Sequence, residues 1–178
     1  MLRALSASVL LCAAITPAVA HESAPVPARL TLGPENAYHL EVKLDLYPLA
    51  TGRPPGHGGG EARREFAALS ADQRSAAIER LEALLERRLR LRLDGEVANP
   101  EVLLPDLAGA ELGDRVILRG VAPEGVETIQ VSPSRALPGL ILSLHRTAAG
   151  EAEETASLPR GEAGPVWTFR EPSPPAVP

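Results

Sequence analysis

Between Tyr38 and Tyr47 the chain alternates without a break. Tyr38, Leu40, Val42, Leu44 and Leu46 fall on one side, and His39, Glu41, Lys43, Asp45 and Tyr47 on the other. A period of two is the mark of a strand with one buried face, and such a face needs a second layer to cover it. Shorter runs of strand character follow the same logic at Ala28 to Leu32, Leu89 to Leu93, Arg115 to Arg119, Val126 to Val131, Leu140 to Arg146, Ala152 to Leu158 and Val166 to Arg170. A run from Val97 to Leu104 is interrupted by Asn99-Pro100, which suits an edge or a bulge. Turn chemistry separates them: Asp94-Gly95, Gly113-Asp114, Pro123-Glu124-Gly125, Pro138-Gly139, Ala149-Gly150 and Gly161 to Pro165. The expectation is a mainly β, Ig-like β-sandwich of about seven strands.

One segment breaks the β pattern. Ser70 is a good N-cap with Gln73 three residues on, and Ile78, Leu81, Leu85 and Leu89 recur at helical spacing among Glu79, Arg80, Glu82, Glu86 and Arg87. The spacing predicts an inserted α-helix at about 70–89, its charged residues forming a solvated face. Glu61 to Leu69 reads as a separate turn or short helix before it, and TGRPPGHGGG at 51–60 as a flexible loop.

The amino-terminal twenty residues constrain location rather than fold. Arg3 provides a basic head, Ala4 to Ile15 an apolar centre, Pro17 a helix stop and Ala18-Val19-Ala20 an A-x-A cleavage site. A run of about a dozen apolar residues is short of the roughly twenty that a spanning helix needs, so a signal peptide is expected over a membrane anchor. Cleavage after Ala20 would place the protein in the periplasm or outside the cell, with a single domain over 21–170 and a Pro-rich disordered tail over 171–178. Processing would leave about 158 residues, a usual size for one domain.

Processing also changes the available chemistry. It removes Cys12 and Met1, the only cysteine and the only methionine, so the mature chain would have no disulfide, thiolate or thioether ligand. Loss of Arg3 takes the formal charge from −5 to −6, which disfavours nucleic acid as a partner. No other apolar stretch approaches membrane-spanning length. Lys43 is the only lysine, so the preference for arginine reads as coding bias and not as an anion-binding design. With two Tyr, two Phe and one Trp, the aromatic platforms expected of a sugar-binding site are scarce.

Four histidines remain: His21, His39, His57 and His145. His21 would become residue one, where α-amine and ring nitrogen together chelate a metal; a further imidazole would complete a three-nitrogen site suited to copper(II). That is the histidine brace of copper-dependent polysaccharide monooxygenases and some periplasmic copper carriers, and the resemblance covers the terminus only. His57, in the Gly-rich loop, and His39, on the polar face of its strand, are the candidate completing ligands. Copper or another divalent transition metal is therefore the candidate cofactor. No G-x-S-x-G turn, H-E-x-x-H helix or phosphate-cradling loop occurs, so an enzyme is disfavoured.

The order of features resembles the exported amino-terminal domain of HupE/UreJ-type hydrogenase and urease accessory proteins. The resemblance rests on a histidine after the signal, AYHLEVKLDL, the stretch from ALSADQR to LLERRL, LRLRLDGE, GDRVILRGVAPEG, LILSLHR and VWTF. It implies a free-standing version of that module, since the membrane helices of the family do not follow. The resulting expectation is a non-catalytic exported binding or accessory module, partnered by an envelope or membrane protein or by a divalent metal. The alternative is a copper-binding metalloprotein using His21 with His57 or His39.

Overall fold

The computed structural model describes residues 24–105, 111–146 and 154–169. The expected signal segment 1–20, His21 and the tail 171–178 lie outside the described residues. Ten strands among the described residues form two sheets arranged as a sandwich. They are β1 (Val26–Leu32), β2 (Ala37–Lys43), β3 (Leu89–Leu93), β4 (Glu96–Val97), β5 (Glu101–Leu103), β6 (Arg115–Val121), β7 (Thr128–Pro133), β8 (Leu140–Arg146), β9 (Glu154–Leu158) and β10 (Val166–Thr168). One sheet runs β5-β6-β2-β1-β8-β9, the other β10-β7-β3-β4. The mainly β sandwich expected from the alternation is what forms, with ten strands instead of about seven and three α-helices instead of one.

Alternation sets which face is buried. Leu30, Leu40, Val42, Leu118, Leu142 and Leu144 point inward from the six-stranded sheet, and Leu89, Leu91, Ile129 and Val131 from the four-stranded one. Between the β2 and β6 partners Tyr38 and Gly120, a Cβ on Gly120 would come within 2.5 Å of the Tyr38 hydroxyl, so the missing side chain makes room for the ring. Burial there raises the Tyr38 hydroxyl above its usual pKa.

Two departures from the sequence reading concern where strands stop. The alternating run does not continue as strand to Tyr47: β2 ends at Lys43, and Asp45 caps a short helix α1 (Leu46–Ala50), its carboxylate accepting from the Tyr47 amide at 3.2 Å. Pro48 explains the change, because it withholds an amide from a ladder but is tolerated in a helix's first turn. The run from Val97 to Leu104 is not one strand but two, in different sheets, and Asn99-Pro100 marks the crossing from β4 to β5.

Three helices link β2 in one sheet to β3 in the other: α1, then α2 (Gly59–Ala68), then α3 (Ala71–Arg88). The capping box at α3 is complete, with Ser70 Oγ accepting from the Gln73 amide at 3.3 Å and Gln73 Oε1 accepting from the Ser70 amide at 2.9 Å. Leu46, Leu49, Phe66, Leu81 and Leu85 join the same core as the sheets. No helix of the described residues is long and apolar enough to cross a membrane.

Candidate functional site

His39 and His57, the alternative partners expected for His21, stand on different elements of the fold. His39 projects from the outer face of the six-stranded sheet, level with Thr31 on β1 and Arg119 on β6. His145 lies in the same transverse row on β8, across Thr31, and its Nε2 is shut off from solvent. His57 is exposed in the loop between α1 and α2, with Nδ1 3.2 Å from the Pro55 carbonyl. Donation from Nδ1–H to that carbonyl would leave Nε2 as the nitrogen that could meet a ligand. His21 falls outside the described residues, and among them no group of three or more His, Cys, Asp or Glu side chains is placed to hold a metal ion.

His57 lines the molecule's distinctive concavity, a cavity of about 570 Å³. Four chain segments build it: the α1–α2 loop with Arg53, Pro54 and Pro55; α3 with Leu84 and Arg88; the β7–β8 loop from Arg135 to Pro138; and Arg160 from the β9–β10 loop. Leu49, Leu84 and Leu137 supply apolar surface, and four arginines and His57 supply the polar groups. Among the described residues no carboxylate lines it. A few hundred cubic ångströms, mostly apolar with a few convergent polar groups, is the usual form of a small-ligand site.

Backbone hydrogen bonds tie the arginine-bearing segments together. The Ser134 amide donates to the Arg88 carbonyl at 2.8 Å, fixing the β7–β8 loop to the end of α3. The Gly161 amide donates to the Pro133 carbonyl at 2.8 Å, which brings Arg160 beside the same loop. Gly161 has φ +77°, and a Cβ there would collide with Cγ of Arg135, so glycine serves both the turn and the close passage of the arginine stem. Within the loop, the Leu137 amide donates to the Ser134 carbonyl at 3.0 Å and the Ala136 amide to Ser134 Oγ at 3.3 Å.

The four arginines are not equivalent. Arg53 bonds Glu61 at 2.7 Å and Glu65 at 2.9 Å, both on α2, and the guanidinium holds the Glu61 carboxyl below the usual carboxylate range. No hydrogen bond or ion pair among the described residues engages the guanidinium groups of Arg88, Arg135 and Arg160.

The wall that carries Arg53 and His57 is braced from behind. The Tyr47 hydroxyl accepts from the Leu112 amide at 3.1 Å, its ring meets Phe66 edge-on at 5.7 Å, and the Arg63 guanidinium lies 5.2 Å from the ring centre. A Cβ on Gly59, in the first turn of α2, would stand 2.5 Å from the Asp45 carboxylate, so the GHGGG stretch is glycine-rich partly because α1 and α2 begin against each other. Two other concavities carry mixed charge. One of about 450 Å³ sets Lys43 and Arg63 beside Asp45 and Asp114. Another of about 330 Å³ sets Arg29 and Lys43 beside Glu41.

Sequence reading singled out His57 but not its arginine neighbours. Positions 53, 88, 135 and 160 share no motif, and in a chain with one lysine nothing in their type distinguishes them. The Pro138-Gly139 and Gly161 turn signals were the available clue to loops that would converge, but turns do not say which loops meet. Comparison with protein-family models, with curated proteins and with solved structures found no match to this chain.

Proposed function

We propose that the processed chain acts outside the cytoplasm as a non-catalytic binding or accessory module, and that the arginine-lined pocket is its binding site. The observation that carries this reading is the convergence of four separate segments on one cavity of about 570 Å³, with apolar side chains and three arginines that have no partner among the described residues. The A-x-A site before His21 supports the location, and the resemblance to the exported domain of HupE/UreJ-type accessory proteins agrees with an accessory role. The test is native mass spectrometry of protein recovered from a cell-envelope extract, beside an Ala136→Trp variant that fills the pocket mouth. A bound mass present on the wild type and absent from the variant supports the reading. Equal retention by both proteins, or turnover of a substrate by the protein alone, sinks it.

The copper alternative keeps one specific support. The Val26 amide donates to the Gly139 carbonyl at 2.9 Å, next to Leu137 and Pro138 of the pocket wall, so the chain enters β1 beside the cavity that His57 lines. His21 is five residues earlier, a reach of at most about 18 Å. Against it, a divalent cation would meet arginines that have no partner among the described residues, and no carboxylate among them. Calorimetric titration of protein beginning at His21 with copper(II) separates the two. Tight binding lost in His57→Ala, and lost when one residue is added before His21, would establish the brace.

A further inference from the structure

We infer that the pocket is selective for a phosphate monoester with an apolar body; this rests on the binding-module reading above. Three features lead there. First, Arg88, Arg135 and Arg160 all line one cavity and their guanidinium groups have no partner among the described residues, while Arg53 is already held by Glu61 and Glu65. Arginine remains protonated at any pH the fold would meet, so this charge is permanent. An anion is the complement that such a cluster lacks.

Second, the number of charges favours phosphate over carboxylate. A carboxylate brings one negative charge and two acceptor oxygens, whereas a phosphate monoester brings about −1.5 to −2 at neutral pH and three oxygens. Guanidinium forks match both geometries, but three of them are better answered by the second. The Ser134–Arg88 and Gly161–Pro133 backbone bonds fasten the segments that carry the three arginines to one another, so binding would have to order the side chains alone. A backbone already assembled lowers the ordering cost of binding.

Third, the rest of the cavity is unsuited to a bare ion. Leu49, Leu84, Leu137, Pro54 and Pro138 make a lining that inorganic phosphate would leave uncovered. An aromatic or branched aliphatic body would remove that surface from water. His57, which also lines the cavity, would offer a further polar contact for the head or for the linking oxygen.

The experiment is a calorimetric titration of the processed protein at low salt with 1-naphthyl phosphate, beside inorganic phosphate, 1-naphthol and 1-naphthoate. The phosphate ester should bind at least about tenfold more tightly than each of the other three, since each lacks the body, the head or the second charge. An Arg135→Gln/Arg160→Gln variant, shown by circular dichroism and thermal melting to fold like the wild type, should lose about tenfold or more of that affinity. Arg135→Lys/Arg160→Lys should recover part of it, because charge returns without the fork. No heat of binding up to millimolar ester, equal affinity for 1-naphthoate or inorganic phosphate, or affinity unchanged in the glutamine variant would each overturn the inference. If the ester fails while the Ala136→Trp variant still loses a bound mass from the extract, the ligand class falls and the binding module stands.

Discussion

On the outer face of the six-stranded sheet, Arg119 meets Glu101 at 2.8 Å and Arg115 stands 3.8 Å from Glu41. Around the pocket, three arginines have no such answer among the described residues. Both groups are exposed, and both come from a chain that uses arginine almost to the exclusion of lysine. The difference lies in the backbone that carries them. Strand pairing places Arg119 directly opposite Glu101, and it sets Arg115 two residues along β6 from the Ile117 that faces Glu41, so that pair meets on the diagonal. Loops carry Arg135 and Arg160, and the end of a helix carries Arg88; no ladder supplies carboxylates opposite them. Residue type alone says little about charge use here, whereas the element beneath the side chain says a good deal.

The comparison can be broken most forcefully through the core that both regions share. Phe66, fully buried behind the pocket wall, and Leu118, fully buried under the sheet face, belong to one cluster. Phe66→Ala should cost about 3–5 kcal/mol and Leu118→Ala about 2–5 kcal/mol in urea denaturation. Each variant should unfold in one transition by fluorescence and by circular dichroism. Two separate transitions in Phe66→Ala would show that the helical region folds independently of the sheets.

A smaller effect is expected at the two glycines that admit a neighbour. Gly59→Ala would press on the Asp45 carboxylate and disturb the cap of α1, and Gly120→Ala would press on the Tyr38 ring. Each should lose about 1–3 kcal/mol. Only Gly59→Ala should also weaken binding at the pocket, because Arg53 and His57 hang from the segment it distorts. Equal loss of binding in both variants would count against a localised site.

Acid sharpens the contrast further. The Thr128 hydroxyl, then the Glu127 and Thr128 amides, hold the Asp94 carboxyl below its usual value, and Arg119 does the same for Glu101. A carboxyl whose folded value is depressed stabilises the fold above its unfolded value, and that contribution fades as pH falls through the folded value. Thermal melting should therefore decline below the usual carboxylate range, and Asp94→Asn should flatten that decline. An acid profile identical to the wild type would show that the Asp94 latch contributes nothing. The smallest effect belongs to Glu101→Gln, an exposed pair whose loss should leave the melting midpoint within error of the wild type.

Much of the architecture could be read from the sequence because local signals and global fold agreed. Ser70 and Gln73 located the start of α3, Asp94-Gly95 located a hairpin, and the alternation of Leu140 to Arg146 matched β8 residue for residue. Reading failed where one residue overrode a longer pattern. The alternation through Leu44, Leu46 and Tyr47 is good strand pattern, yet Asp45 as a cap and Pro48 without an amide convert it to helix. The strand candidate at Val97 to Leu104 was interrupted at Asn99-Pro100 and read as one strand with an edge or a bulge, but it is shared between two sheets. The pocket was illegible for a different reason: its arginines run from Arg53 to Arg160, and only tertiary contacts bring them to one cavity.

The position of β1 also has a consequence for the order in which the molecule can be completed. It lies between β2, its neighbour in sequence, and β8, with which it pairs in parallel from Val26 opposite Leu140 to Leu32 opposite Arg146. A chain delivered amino end first can close the β1–β2 hairpin early. It cannot cover the other edge of β1 until more than a hundred further residues have arrived. Throughout that interval one of the sheet's two middle strands keeps an open edge. The middle of this sheet is thus sealed by one of its last strands, and its completion waits on the carboxy-terminal part of the chain.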